Sequence, residues 1–429
     1  MEFSVLHPRD RIVAVMERIY AGGMTTTSGG NLSVRDPEGD VWVTPTGIDK
    51  GHLAPADIVC LRDGCVVEGQ HRPTSEYLFH LAIYERRPDI QAIVHAHPPA
   101  LAAFGIVQKT PDTRVTPDSY WICGPVGCAP YALTGSEELA GRIADAFGQG
   151  FDSVLMENHG VVTAGDDLLH AFHRFEALEY CARTIISASA LGPVRALGED
   201  EIPETGLADM ASMESASSSC APGESTVRER LRDVVRRAHA QHLMPSTAGA
   251  VSARLEGGMD SFLITPHRQD WTYLEVDDLV RIEDGLCERG KVPGRSVRLH
   301  RAIYQTHPDV GAIVHAHAPY VTAYAVVGRT LDARHLSESY VILREAPLLP
   351  YGPQFDDEAR VATALSSGTR ALLLQNDGIL TTGPGLIEAF DCLEVAEFTA
   401  MALFGAVHVG VPVPITEDDV RVLDERFPR

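Results

Sequence analysis

The sequence predicts an α/β chain made of two tandem three-layer α/β/α domains, and three observations carry that reading. The stretch Gln91-Ala92-Ile93-Val94-His95-Ala96-His97 recurs as Gly311-Ala312-Ile313-Val314-His315-Ala316-His317, which marks an internal duplication. At 429 residues the chain exceeds the size at which one core stops growing, so two domains of roughly 200 residues are expected. Finally, helical and strand patterns follow the same order around both copies, and elements mixed in that order form layers.

In the first half, residues 11–21 carry Ile12, Val15, Met16 and Ile19 at helical spacing and stop at Gly22-Gly23, where a C-cap glycine belongs. A polar, glycine-rich stretch over 25–33 precedes a short strand, Val41-Trp42-Val43-Thr44, and the Pro45-Thr46-Gly47 turn. Pro73-Thr74-Ser75-Glu76 opens a helix with Leu78, Leu81, Ala82 and Ile83 on its apolar side, and the His95/His97 strand follows. Val154-Leu155-Met156 is another buried strand, leading through Glu157-Asn158-His159-Gly160 to Val161-Val162-Thr163 and an amphipathic helix over about 168–191. Residues 192–225 contain no aromatic side chain and include Ser217-Ser218-Ser219, so they are expected to link rather than pack. The domains are therefore set at 1–195 and 226–429, with a linker at 196–225. The second half repeats the order: helix 227–243, loop 246–252, strand 262–265, helix 296–305, the His315/His317 strand, strand 371–374, and a helix over about 386–404.

A formal charge of −23, from 36 basic and 59 acidic residues, argues against nucleic acid or an anionic membrane as partner and leaves a small-molecule substrate. The first eight residues lack the basic and apolar regions of a secretory signal, and the apolar run 401–413 is too short to span a bilayer. None of the eight cysteines sits in a C-x-x-C pair. These features together predict a soluble, cytoplasmic protein with reduced thiols.

On a strand, residues i and i+2 share a face, so each His-x-His places two imidazoles side by side. One further His or carboxylate would complete a metal site with an open position. Ser28-Gly29-Gly30-Asn31-Leu32-Ser33, Thr44-Pro45-Thr46-Gly47, Thr74-Ser75-Glu76, His95-Ala96-His97 and Asn158-His159-Gly160 stand in the order and spacing of the class II aldolase/adducin family, which the first half closely resembles. That resemblance implies central, mainly antiparallel sheets, His95, His97 and His159 as ligands of Zn²⁺ (or of Mn²⁺, Co²⁺ or Fe²⁺), and Glu76 as acid/base. It also implies substrate binding by Asn31, Thr46, Gly47, Thr74 and Ser75. The chemistry it implies is metal-dependent lyase chemistry: aldolase-type C–C cleavage or formation, or decarboxylation, of a hydroxylated carbonyl compound, with or without a phosphate, through an enediolate. His80, one turn beyond Glu76, and its counterpart His300 are expected to pack structurally.

The second half resembles the same family but departs from it at the site. Asn31 is answered by Ala250, Thr46-Gly47 by His267-Arg268, Ser75-Glu76 by Arg295-Ser296, and His159 by Asp377. His315, His317 and Asp377 form either the remains of a metal site or a two-histidine, one-carboxylate set of the kind non-haem iron oxygenases use. Pro117-Asp118-Ser119-Tyr120 matches Ser337-Glu338-Ser339-Tyr340 at the separation of the histidine pairs. In the family, residues from this region complete a neighbouring subunit's site, so Asp118, Tyr120, Glu338 and Tyr340 are candidate proton donors, with Glu338 or Tyr340 expected to serve the first metal. Pairing of the two halves and a homo-oligomer follow from the same resemblance. Set against the lyase are an oxygenase working in the second half and a non-catalytic, adducin-like binding protein.

Overall fold

Pro8 opens helix α1 (Pro8–Ala21), where its missing N–H is no loss, and Ile12, Val15, Met16 and Ile19 form the buried stripe that the 3.6-residue spacing requires. The computed structural model describes all residues except 1–2, 205–209, 211–212, 214, 217–222, 257–259, 367 and 429. Two units emerge: Met1–Thr113 with Ser119–Ala182, and Arg114–Asp118 with Arg183–Arg429. The short segment Arg114–Asp118 thus lies in the first half of the sequence and in the second unit of the fold.

The first unit is built on β1 (Asn31–Arg35), β2 (Val41–Val43), β3 (Val59–Arg62), β4 (Cys65–Glu68), β5 (Ala92–Ala96), β6 (Val126–Ala129), β7 (Ser153–Met156) and β8 (Val161–Gly165). Their order is β4-β3-β2-β1-β5-β8-β7-β6, antiparallel except where β6 meets β7. The His-x-His strand β5 is interior and buried along its whole length, which is why it reads as a continuous apolar run. Helices α2 (Tyr77–Arg86), α3 (Pro99–Ile106), α4 (Pro117–Cys123), α5 (Glu137–Gly148) and α6 (Leu168–Leu191) follow in chain order. Phe79 and Ile83 of α2 pack with Leu139, Ile143 and Phe147 of α5 over Ile93 and Val154. The helix expected from Pro73 begins instead at Tyr77, with Glu76 at its N-cap. Thr74 N–H donates to Thr44 O, and Pro73 bridges Pro45, so residues 73–74 are tied to the 44–46 turn and the chain turns at 75–76 before the helix starts.

The second unit carries β9 (Ser215–Ala216), β10 (Ala250–Arg254), β11 (Ser261–Ile264), β12 (Val280–Glu283), β13 (Leu286–Glu288), β14 (Ala312–Ala316), β15 (Leu348–Leu349), β16 (Ala371–Leu374) and β17 (Gly378–Gly383). They are ordered β15-β16-β17-β14-β10-β11-β12-β13-β9. The two sheets share one register: Asn31 lies opposite His95, and Ala250 opposite His315. Part of the expected linker, including Ser217-Ser218-Ser219, lies outside the described residues; within the rest, Leu197 and Met210 are buried. Helix Leu386–Val409 is long and apolar enough to cross a membrane by composition. Here it is a core helix, with Phe390, Leu393, Ala396, Ala400 and Leu403 packed among Val314 and Ile379.

Two buried carboxylates fix the helices that leave the His-x-His strands. Glu179 accepts the N–H groups of Ala100 and Leu101 at the start of α3, and Glu397 accepts those of Tyr320 and Val321 at the start of Pro319–Val326. Each answers two N–H groups that a helix N-terminus leaves unpaired. Replacing either with Ala strands both donors, and a loss of about 1–3 kcal/mol is expected in urea unfolding.

His80 and His300 are fully buried, each with Nδ1 on a serine hydroxyl, Ser33 and Ser252 respectively. Burial, with some help from the neighbouring His95 and His315, pushes both imidazoles down to about 3. Their unfolded counterparts protonate near pH 6.5, so from this cause stability falls as pH drops from about 6.5 toward 3, by about 1.4 kcal/mol per pH unit and group. The check is the urea midpoint between pH 7 and 4, which should fall less steeply in His300→Gln.

Candidate metal centre and acid/base site

His95 and His97 leave the end of β5, and His159 enters from the turn between β7 and β8. The Nδ1–H of His95 donates to Val161 O at 2.9 Å, because a carbonyl only accepts, and this leaves the Nε2 lone pair aimed into the site. Asn158, at φ 54°, turns the chain just before His159. Gly160 is required by space: a Cβ there would lie 2.5 Å from both His97 Cδ2 and Ala96 O. The ring centroids are 4.8 Å apart for His95 and His97, 5.0 Å for His95 and His159, and 5.1 Å for His97 and His159. One ligand atom from each ring falls within 4.8 Å of the other two.

Glu76 faces this cluster from the N-cap of α2. Its Oε2 is 3.3 Å from His95 Nε2 and its Oε1 is 3.3 Å from His159 Nε2. Asn31 Nδ2 donates to Oε2 at 2.8 Å. Burial alone would raise the Glu76 carboxyl, but His95, His159 and the Asn31 amide more than reverse that and hold it below the ordinary range. Burial, followed by the nearby His95, pushes His97 down to about 3 and His159 to about 4, so both are neutral, ligand-ready imidazoles at physiological pH. His95 Nε2, His97 Nε2 and Glu76 Oε1 are buried without a hydrogen-bond partner. Buried polar atoms left so are rare and point to a missing partner, and this donor set fits a divalent cation.

Of the expected substrate contacts, Asn31 and Thr74 are buried beside Glu76, and Thr74 Oγ1 accepts the Glu76 N–H at 3.3 Å. Thr46, Gly47 and Ser75 are exposed, and the Thr46 N–H is already used by Arg72 O. The sequence reading missed Lys50, which is buried and donates to Pro45 O at 2.6 Å. Burial drives its ammonium down to about 8, and it anchors the 44–47 turn from beneath. Also missed were Glu179 and Glu397, although matching carboxylates on two apolar helices of a duplicated chain were a readable signal.

In the second unit, ligand atoms of His315, His317 and Asp377 also lie within 4.8 Å of one another, but their bonding differs. His315 uses both nitrogens: Nδ1 accepts from Ser296 Oγ at 2.9 Å, and Nε2–H donates to Asp377 O at 3.0 Å. Arg295 reaches Asp377 at 3.2 Å and Asp118 at 3.5 Å, while Asp118 is 3.2 Å from His317 Nε2. Asn376, at φ 55°, donates to Val115 O at 2.8 Å and helps hold the segment that carries Asp118. Asp118 therefore belongs to the His315/His317 cluster. Glu338 is exposed, and Tyr340 donates instead to Asp424 at 3.1 Å, because helix Glu417–Arg426 brings that carboxylate to Tyr340 and Arg344. Tyr120 lies half-buried on α4.

The sequence profile of the Class II Aldolase and Adducin N-terminal domain matches residues 10–186 and again 229–404. The 5-deoxy-D-ribulose 1-phosphate aldolase of Bacillus thuringiensis serovar kurstaki is 35% identical over 205 residues, which make up 45% of this chain and 91% of that protein. The 3-oxo-tetronate 4-phosphate decarboxylase of Escherichia coli strain K12 is 34% identical over 205 residues, 46% of this chain and 93% of the relative. A solved structure of an L-fuculose 1-phosphate aldolase is 34% identical, covers 46% of this chain and 92% of its own, and superposes with a TM-score of 0.42. Each relative thus corresponds in length to one copy of the duplicated unit. With two profile matches spanning most of its length, the chain belongs to the class II aldolase and adducin N-terminal domain family, as a tandem duplication whose second copy has diverged at the site.

Proposed function

We propose that this class II aldolase-family enzyme is a zinc-dependent lyase that makes or breaks a C–C bond beside the carbonyl of a hydroxylated, phosphorylated small molecule, and that it does so in its first half. The observation that carries this reading is the convergence of His95, His97 and His159 on the Glu76 carboxylate, with buried nitrogen and oxygen atoms left unpaired. His95, His97 and His159 would hold a divalent ion, which would supply Lewis-acid chemistry at the substrate oxygens. Glu76 moves the proton. Its Oε2 is occupied by Asn31, which leaves Oε1 free to take a proton from the substrate and return it to carbon. Exposed Thr46, Gly47 and Ser75, next to buried Thr74, are the groups assigned to the substrate phosphate. The relatives support a phosphorylated substrate, since the aldolase and the decarboxylase are both named for phosphates.

The test is metal analysis of protein purified without added metal, together with assays on 5-deoxyribulose 1-phosphate, L-fuculose 1-phosphate and 3-oxo-tetronate 4-phosphate. One zinc per chain and C–C cleavage of at least one compound are expected. One ion rather than two is expected because both His315 nitrogens are bonded and Arg295 already faces Asp377. Stoichiometric iron lost on Asp377→Ala would favour the oxygenase, and no metal with no turnover would favour the binding protein.

A further inference from the structure

We propose that Asn31 is a positioning residue that aims Glu76, and that Tyr84, Ser33 and His80 form the hydrogen-bonded chain that holds Asn31 in place. The inference rests on the reading of Glu76 as the proton-moving group. Glu76, His80 and Tyr84 follow one another at four-residue spacing along one side of α2, and Asn31 and Ser33 lie two apart on one face of β1. The helix row meets the strand row in a zipper. Asn31 Nδ2 donates to Glu76 Oε2 at 2.8 Å, and its Oδ1 is 2.6 Å from His80 Nε2. Ser33 Oγ lies 2.7 Å from His80 Nδ1 and 2.8 Å from Tyr84 OH.

The direction of every bond follows from the carboxylate end. Ionised Glu76 only accepts, so the Asn31 amide nitrogen faces it and Oδ1 faces the histidine. Oδ1 only accepts, so His80 carries its proton on Nε2, and Nδ1 accepts from the Ser33 hydroxyl. Tyr84 then donates to Ser33. Asn31 is 2% exposed, Ser33 0%, His80 0% and Tyr84 4%, so water does not compete for these bonds.

The second copy is an internal control. Ser252 keeps its bonds to His300, at 2.7 Å, and to Tyr304, at 2.8 Å. Where Asn31 would stand there is Ala250, and His300 Nε2 is buried without a partner. Ser296 stands in place of Glu76 and bonds His315 instead. The serine–histidine–tyrosine part survives as structure, whereas the asparagine is absent where the carboxylate is absent.

Two readouts test this. The first is the ¹⁵N spectrum of the His80 ring in the full chain, which reports the tautomer without any turnover. A proton on Nε2 is expected, with the Nε2 resonance moved in Asn31→Ala and not in Ala250→Asn; a proton on Nδ1 overturns the proposal. The second is exchange of the carbon-bound protons of dihydroxyacetone phosphate in D₂O, with that compound as the probe. Asn31→Ala and Asn31→Asp should each lower the exchange kcat by at least about tenfold, with KM within about threefold and metal content unchanged. The aspartate still accepts from His80 but sets a like charge against Glu76, so it should be no better than alanine. A raised KM with unchanged kcat would make Asn31 a phosphate ligand and overturn the positioning role. Exchange that survives Glu76→Gln, or is absent from the unaltered enzyme, would instead remove the reading of Glu76, while the ring spectrum still decides whether the chain holds Asn31.

Discussion

Glu76→Gln is expected to lower turnover of the phosphorylated substrate by roughly 10²–10⁴-fold while leaving bound metal unchanged. Glutamine keeps the size of the side chain and an oxygen for the Asn31 amide, but it cannot hold a transferable proton. The prediction is specific because Glu76 stands 3.3 Å from two of the three imidazoles, close enough to be mistaken for a ligand. If it were a ligand, the variant would lose metal along with activity. Parallel metal analysis and steady-state kinetics separate the two roles, and metal loss in the glutamine variant would reassign Glu76.

His97→Ala should strip most of the metal and lower turnover by on the order of 10³-fold, since a Lewis acid is worth several kcal/mol and each 1.36 kcal/mol is tenfold in rate. The fold should survive, because His97 lies just past the last residue of β5 and its Nε2 bonds nothing in the protein. The pH dependence carries a sign. His97 and His159, held down to about 3 and about 4, stay unprotonated well below the ordinary value. Competition from protons at these two ligands should therefore weaken metal binding only as pH falls toward about 4, and not in the range around 6.5 where an exposed histidine would begin to compete. Metal content after dialysis at stepped pH checks this, and full metal retention in His97→Ala would sink the ligand set.

The duplication, the layered α/β class and the side-by-side placement of His95 and His97 were legible because they rest on local pattern: a repeated heptapeptide, alternation along strands, and imidazoles two apart; His159 was reached only through the family resemblance. The start of α2 was not legible, since Pro73 is held by a bridge to Pro45 that joins positions far apart in sequence. Asn31 was readable as a site residue but not as a partner of Glu76, because that depends on β1 lying against α2. The same limit explains the helical segment at 338–340: its match to 118–120 is real in sequence, yet the side-chain carboxylate of Asp424 takes Tyr340. Lys50 gave no signal, because a lysine between polar turns gives no hint that its ammonium will be buried against a backbone carbonyl.

The placement of residues 114–118 bears on how such a fused gene could ever come apart again. Those five residues are encoded in the first copy, yet they supply the Val115 carbonyl that Asn376 holds and the Asp118 carboxylate beside His317. A break anywhere after residue 195 would leave one product without a piece of its own interior and the other carrying a segment with nothing to pack on. The fusion is in this sense ratcheted: each copy matches the length of a whole relative, but the second does not by itself hold a complete folding unit.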